Sequence, residues 1–233
     1  TEAYNNIGNV YQELKQVDSA VQSYQKALEI KPDYVAAQYS LGNTFMELGQ
    51  LEEAVKSYKA ALKLKPDFAG AYNKLGSSLL ELDQLDESVR SYEAALKHKP
   101  DYVEAINNLG IAFYKLQQMD DAMKQYKRAL ALDPDFADAH NNIGIVFSEL
   151  GQLDAAIMSY KAAITLQFDY AEAHYNLGLI FHDLKRLDEA TQSYKTAIAF
   201  QSDYADAHYN LGILYHDAGH LKMAIDSIKM AIK

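Results

Sequence analysis

The sequence predicts an all-α protein, a solenoid of antiparallel helix pairs that occupies the whole chain. Three observations carry this expectation. Residues recur at a fixed period of 34. Apolar residues within each period fall at helical spacing in two separate runs. Residues that break or start helices stand at the joints between periods. A period of this length marks a stacked supersecondary unit, since one such unit cannot bury its own apolar face.

The period is read most directly from glycine. Seven of the eleven glycines (Gly8, Gly42, Gly76, Gly110, Gly144, Gly178 and Gly212) form one column. Alanine columns start at Ala3 and Ala27, and a third starts at Ala20 and is broken only by Ser88. Tyr24, Tyr58, Tyr92, Tyr126, Tyr160 and Tyr194 make an aromatic column that ends in Ile228. The stretches "DYAEAHYNLG" and "DYADAHYNLG" differ by one residue at an offset of 34. One domain spanning 1–233 is expected, with repeats 1–34, 35–68, 69–102, 103–136, 137–170, 171–204 and a shortened 205–233.

Each unit begins with a first helix, illustrated by Ile106, Leu109, Phe113 and Leu116 at helical spacing. A short turn follows, "KLQQM" here and "ELGQL" elsewhere, with Gly in the latter. Met119, Ala122, Met123, Tyr126, Ala129 and Leu130 then define a second helix. Pro32, Pro66, Pro100 and Pro134 close the units, because proline cannot continue a helix. The residue after each, Asp33 and its equivalents, is expected to cap the next helix. Asp101 with Glu104, and Asp169 with Glu172, have capping-box spacing. Gly8 and Ala20 are expected where the two helices of a unit cross, with only small side chains letting the backbones approach.

Composition excludes several classes of function. The net charge of −10 repels phosphate backbones, so nucleic acid is not an expected partner. There is no cysteine, which rules out disulfides, thiolate metal sites and thiol catalysis. No stretch approaches the roughly 18 apolar residues of a membrane helix, so no membrane insertion is expected. The chain opens at Thr1 with no leader, which reads as a fragment or a processed form, and the expected location is the cytoplasm.

The succession of His174, Leu177, Gly178, Phe181, Ala190, Tyr194 and Ala197, with prolines closing the earlier units, resembles the tetratricopeptide repeat. The resemblance covers essentially the whole chain. It implies a right-handed superhelix of antiparallel helix pairs, with the first helix of each pair lining a concave groove. Phe168 and Ser202 depart from it by replacing the joint proline, and Gln38, Ile106, His140, His174 and His208 replace a larger aromatic.

The implied groove contains a row of Asn6, Asn108, Asn142, Asn176 and Asn210, interrupted by Ser40 and Lys74. Asparagine is a poor helix former, and its amide both donates and accepts, so such a row can hold the backbone of an extended peptide. The row is similar to that of O-linked N-acetylglucosamine transferase repeats. The alternative is that each Asn bonds a neighbouring helix. A second column changes from Asn9, Asn43 and Ser77 to Ile111, Ile145, Leu179 and Ile213. This stripe is either a partner site or core. Tyr175 and Tyr209, with Tyr39, are possible anchors. Acidic columns (Glu2, Glu104, Asp138, Glu172, Asp206 and Glu13, Glu47, Glu81, Glu149, Asp183, Asp217) favour a neutral or basic peptide. The first of these columns also suits helix dipoles. A carboxylate clamp of Lys and Arg is not expected, since the matching positions hold Asn5, Asn73, Asn107 and Asn141.

No cofactor, metal site or catalytic residue is expected. His216 and His220 are four apart, but Gly219 puts His220 in a turn and no third ligand is fixed. His140, His174 and His208 occupy a packing position. The carboxylates repeat in every unit, whereas a catalytic pair needs unlike environments. The expected function is a protein-interaction scaffold that binds an extended or helical segment. Alternatives are the substrate-recruiting region of a larger enzyme such as a protein O-glycosyltransferase, or a designed array without natural ligand. Met223, Ile228 and Met230 make the last repeat more apolar than the others, which raises self-association through that end.

Overall fold

The computed structural model of the chain describes residues 1–232. Among these, fourteen helices are joined by short turns and there is no strand. They run α1 (Glu2–Glu13), α2 (Val17–Ile30), α3 (Val35–Glu47), α4 (Leu51–Leu64), α5 (Ala69–Glu81), α6 (Leu85–His98), α7 (Val103–Lys115), α8 (Met119–Leu132), α9 (Ala137–Glu149), α10 (Leu153–Leu166), α11 (Ala171–Asp183), α12 (Leu187–Phe200), α13 (Ala205–Asp217) and α14 (Leu221–Ala231). They divide into two compact units, Thr1–Gln125 and Tyr126–Lys233, with the boundary inside α8.

In the first unit α1 pairs with α2, α3 with α4 and α5 with α6, and each second helix packs on the first helix of the next pair. First helices also touch in succession, α1 with α3, α3 with α5 and α5 with α7. The second unit repeats this scheme in α9·α10, α11·α12 and α13·α14, with α9 touching α11. The links within pairs are too short for anything but an antiparallel return.

One contact recurs in five of these pairs, and in α13·α14 Ile228 takes the place of the tyrosine against Gly212. A Cβ added at Gly8 would lie 2.5 Å from a ring carbon of Tyr24, and one at Gly42 would lie 2.6 Å from Tyr58. Gly76 meets Tyr92 in the same way, and in the second unit Gly144 meets Tyr160 and Gly178 meets Tyr194. The glycine column therefore makes room chiefly for a tyrosine ring, and at Gly212 the Ala224 backbone carbonyl of the second helix is also close, 3.3 Å from the position of an added Cβ. The alanine column lies close by: Ser88, its one exception, donates its hydroxyl to the Gly76 carbonyl at 2.8 Å. The rings are essentially fully buried. Burial of each stabilises the fold by on the order of 2 kcal/mol. It also pushes the pKa of the Tyr92 phenol up to about 12, with hydrogen bonding to Ser77 and Ser88 pulling the other way.

The expected aspartate caps do not form. Helix α3 has Tyr34 at its N-cap, α5 has Phe68 and α7 has Tyr102, and none makes a side-chain cap bond. Pro32 and Asp33 instead occupy the middle of a turn closed by the Tyr34 N–H on the Lys31 carbonyl, at 3.2 Å. The Asp101–Glu104 and Asp169–Glu172 boxes are absent for the same reason, since their helices start from Tyr102 and Tyr170. The aromatic at this position is fixed by packing: Phe68 stacks on Tyr39 with centroids 4.7 Å apart, and Tyr204 stacks on Tyr175 at 4.9 Å.

The turn inside each pair has its own column. Gly49, Gly151 and Gly219 take φ of 68°, 69° and 76°, and the equivalent Lys15, Asp83, Gln117 and Lys185 take φ of 57° to 62°. The N–H of Gly49 bonds the Met46 carbonyl at 2.9 Å, and that of Gln50 bonds the Phe45 carbonyl at 2.8 Å. This is a Schellman closure with a left-handed residue after the C-cap, where glycine carries no Cβ penalty. Replacing Asp83 by Gly is expected to raise stability by about 0.5–1 kcal/mol, and Gly151→Ala to lower it by about 1–2 kcal/mol. Thermal unfolding followed by circular dichroism checks both, as a rise and a fall in midpoint.

Candidate functional site

The first helices present the residues singled out for binding. Asn108 on α7, Asn142 on α9, Asn176 on α11 and Asn210 on α13 are all half-buried, and Asn6 on α1 is exposed. Three of them share a bond that sequence alone did not resolve. The amide of Asn108 donates to the Asn73 carbonyl oxygen at 3.2 Å, and that of Asn176 donates to Asn141 at 3.2 Å. The amide of Asn210 donates to the Tyr175 hydroxyl at 3.0 Å. The acceptor always stands one column earlier on the preceding first helix.

That preceding column forms a backing layer. Asn5, Asn73, Asn107 and Asn141 are only 1–6 % exposed. Asn73 passes its own N–H to the Tyr102 hydroxyl at 3.4 Å, and Asn141 passes its N–H to a Glu172 carboxylate oxygen at 3.2 Å. Where the layer carries Tyr39 or Tyr175, ring packing on Phe68 or Tyr204 takes the place of these bonds. The carbonyl oxygen of Asn5 is buried without a partner. The reason is legible in the row: the position that donates in other units is Ser40 here. Among the described residues, the amide oxygens of Asn108, Asn176 and Asn210 accept no hydrogen bond. Each of the bonds they donate uses one N–H of an amide that also has a carbonyl and a second N–H.

The column that turns from polar to aliphatic serves the tyrosines as well as the surface. The Tyr24 hydroxyl donates to Asn9 at 2.8 Å, Tyr58 to Asn43 at 2.7 Å and Tyr92 to Ser77 at 3.2 Å. In the sixth repeat the position is Leu179, and the Tyr194 hydroxyl is buried with no partner. Ile111, Ile145, Leu179 and Ile213 are half-buried, and Ile145 and Leu179 also pack against the core of the second unit. Tyr175 is half-buried between Tyr194 and Tyr204, whereas Tyr209 is 52 % exposed.

The acidic columns are exposed. In the first unit, Asn9, Gln12, Glu13, Ser40, Asn43 and Glu47 line a polar cleft of about 340 Å³ between α1 and α3. Gln12 donates to Glu47 and accepts from the Thr44 hydroxyl at 3.0 Å, so the cleft wall is ordered.

The histidine column was expected to pack, and it also bonds. His140 Nε2 lies 3.1 Å from the Pro134 carbonyl, His174 Nε2 3.0 Å from Phe168 and His208 Nε2 2.9 Å from Ser202. A ring with a proton on Nε2 donates to each carbonyl and ties the joint to the helix that follows. The common i−6 offset was the available signal.

The hydroxyl pairs lead to opposite outcomes for one substitution. Tyr58→Phe strands the Asn43 carbonyl and is expected to cost about 1 kcal/mol. Tyr194→Phe removes an unpaired buried hydroxyl and is expected to be neutral or stabilising, and Leu179→Asn to supply the missing acceptor. Denaturant unfolding of the three variants reads the signs.

Comparison with known proteins places these features in a family. The TPR repeat profile matches residues 8–49, 42–83, 76–117, 112–151, 146–185 and 178–219. No curated protein matches the chain. The solved structure of MamA is 26 % identical with a TM-score of 0.65, covering 71 % of this chain and 97 % of its own. YrrB, described as a TPR protein with an unusual peptide-binding site, is 24 % identical with a TM-score of 0.56, covering 80 % and 96 %. PilF of Pseudomonas aeruginosa is 18 % identical with a TM-score of 0.72, covering 86 % and 91 %. The last two show the fold alone. With the profile matched in six overlapping segments from residue 8 to residue 219, the chain belongs to the TPR repeat family.

Proposed function

We propose that the chain is a protein-interaction scaffold whose first helices hold an extended protein segment of neutral or basic character. The observation that carries this reading is the half-used amide row. Asn108, Asn176 and Asn210 are each oriented by one bond to the layer behind, and each keeps an unpaired carbonyl and a second N–H. Within the second unit, Asn176 and Asn210, fixed in this way on successive first helices, can meet a peptide backbone with little further loss of side-chain freedom. Backbone contact of this kind tolerates many side chains, so a second feature must supply selectivity. Ile111, Ile145, Leu179 and Ile213 give apolar contact, and Tyr209 an exposed amphipathic ring. The flanking carboxylates disfavour acidic segments. YrrB, with its peptide-binding site, is a precedent among similar folds for this use of the repeats.

Among the described residues, no helix is long and apolar enough to cross a membrane.

Selection from a displayed random peptide library tests the proposal. Binders are expected to be neutral or basic. Changing Asn108, Asn142, Asn176 and Asn210 together to Ala is expected to weaken them by about 10²–10³-fold, at roughly 1 kcal/mol per lost bond. Binders of undiminished affinity in that variant, or a selected pool dominated by acidic peptides, would overturn it.

A further inference from the structure

The polar cleft between α1 and α3 carries two negative charges that no cation among the described residues neutralises. Glu13 lines one wall and Glu47 the other, with Asn9, Gln12, Ser40 and Asn43 beside them. No lysine or arginine lines it. Elsewhere in the first unit exposed carboxylates do find cations: Glu53 pairs with Lys56 at 2.6 Å and Glu87 with Lys59 at 3.5 Å.

The side chains of the cleft are held in place. Gln12 accepts from the Thr44 hydroxyl and donates to Glu47, which fixes that carboxylate across the gap between the two helices. The amides of Asn9 and Asn43 are fixed by the hydroxyls of Tyr24 and Tyr58. A second observation comes from behind Ser40. In later repeats the buried asparagine of the backing layer accepts a bond from this position on the next first helix, Asn73 from Asn108 and Asn141 from Asn176. Here the corresponding pair is Asn5 and Ser40. Asn5 is 6 % exposed, and its carbonyl oxygen has no partner. An acceptor short of one N–H therefore stands behind a residue that lines the cleft.

We infer that this cleft is a guanidinium site, which takes an arginine side chain of the segment held by the first helices. The inference deepens the proposed function and rests on it for the source of the arginine, not for the chemistry of the cleft. A guanidinium is planar, has five N–H donors and no acceptor, and is more weakly hydrated than an ammonium. It would bridge the walls with charge-assisted bonds to Glu13 and Glu47, and turn a further N–H toward Ser40 and the Asn5 carbonyl. An ammonium is a compact point charge that lacks this fork. The cleft volume of about 340 Å³ suits one long side chain and not a folded segment.

Titration of the ¹⁵N-labelled 233-residue chain with N-acetylarginine N-methylamide tests the cleft by itself. The side-chain amide resonances of Asn9, Gln12 and Asn43 are expected to shift and to saturate. The citrulline counterpart, a neutral urea of the same shape, is expected to bind about 10-fold more weakly, and the lysine counterpart also more weakly than arginine. Glu13→Gln with Glu47→Gln removes the charge with little change of shape, and is expected to abolish the response at unchanged helicity by circular dichroism. In peptides selected from the library, replacing arginine by citrulline is expected to lower affinity about 10-fold for the wild type and hardly at all for this double variant. No shift at the three amides, or an equal response to citrulline, would overturn the inference. A lysine response equal to that of arginine would overturn the assignment to a guanidinium. Shifts in the cleft of a chain that binds no selected peptide would support the guanidinium site and overturn the scaffold reading instead.

Discussion

Five of these helix pairs are organised around a tyrosine ring seated against a glycine, at Gly8, Gly42, Gly76, Gly144 and Gly178. The glycine stands in the first helix and the tyrosine 16 residues later in the second, as in Gly42 with Tyr58 and Gly178 with Tyr194. With a Cβ at the glycine the buried ring would have to shift, at a cost in packing. The seated ring then does a second job. Its hydroxyl reaches the face of the first helix and bonds Asn9, Asn43 or Ser77 there. The hydrophobic contact inside the pair and the polarity of the surface are therefore linked through one side chain. Where the surface turns aliphatic at Leu179, the cost appears inside, as an unpaired hydroxyl on Tyr194. A buried polar atom left in this state costs about 1–3 kcal/mol.

The asparagines follow the same logic across pairs. Each inner Asn leans on the helix before it, through Asn73, Asn141 or the Tyr175 hydroxyl. Packing and ligand reading were posed as alternatives for this row, and the geometry accommodates both, because an amide has more bonding capacity than one neighbour uses. The bond that joins successive first helices also orients the groups that a peptide would meet.

Much of this was legible in the sequence. Identical columns at a fixed spacing can only be satisfied by identical surroundings, so the helices, their pairing and their order followed directly. What the sequence concealed was the partner of each column. Gly8 implied a close approach but not that of a ring. Asp67 and Asp203 have the chemistry of a cap, yet the aromatics after them, Phe68 and Tyr204, pack on Tyr39 and Tyr175, and the helices start from those aromatics. The positive φ at Lys15, Asp83, Gln117 and Lys185 was hidden because only three units spell the turn with glycine. The histidine bonds to joint carbonyls were hidden because the residues before them vary among Pro134, Phe168 and Ser202. For the candidate site, residue types and spacing were visible, but the backing layer of Asn73, Asn107 and Asn141 was not, since burial separates two adjacent asparagines that read alike.

The central claim is that the half-buried asparagines serve a ligand while the buried ones serve the fold. Side-chain amide resonances distinguish the two groups directly. In a titration of the ¹⁵N-labelled chain with a selected peptide, the amides of Asn108, Asn176 and Asn210 are expected to shift, with those of Asn5 and Asn73 staying nearly in place. Shifts confined to residues of the second helices, with the inner row unmoved, would contradict the account.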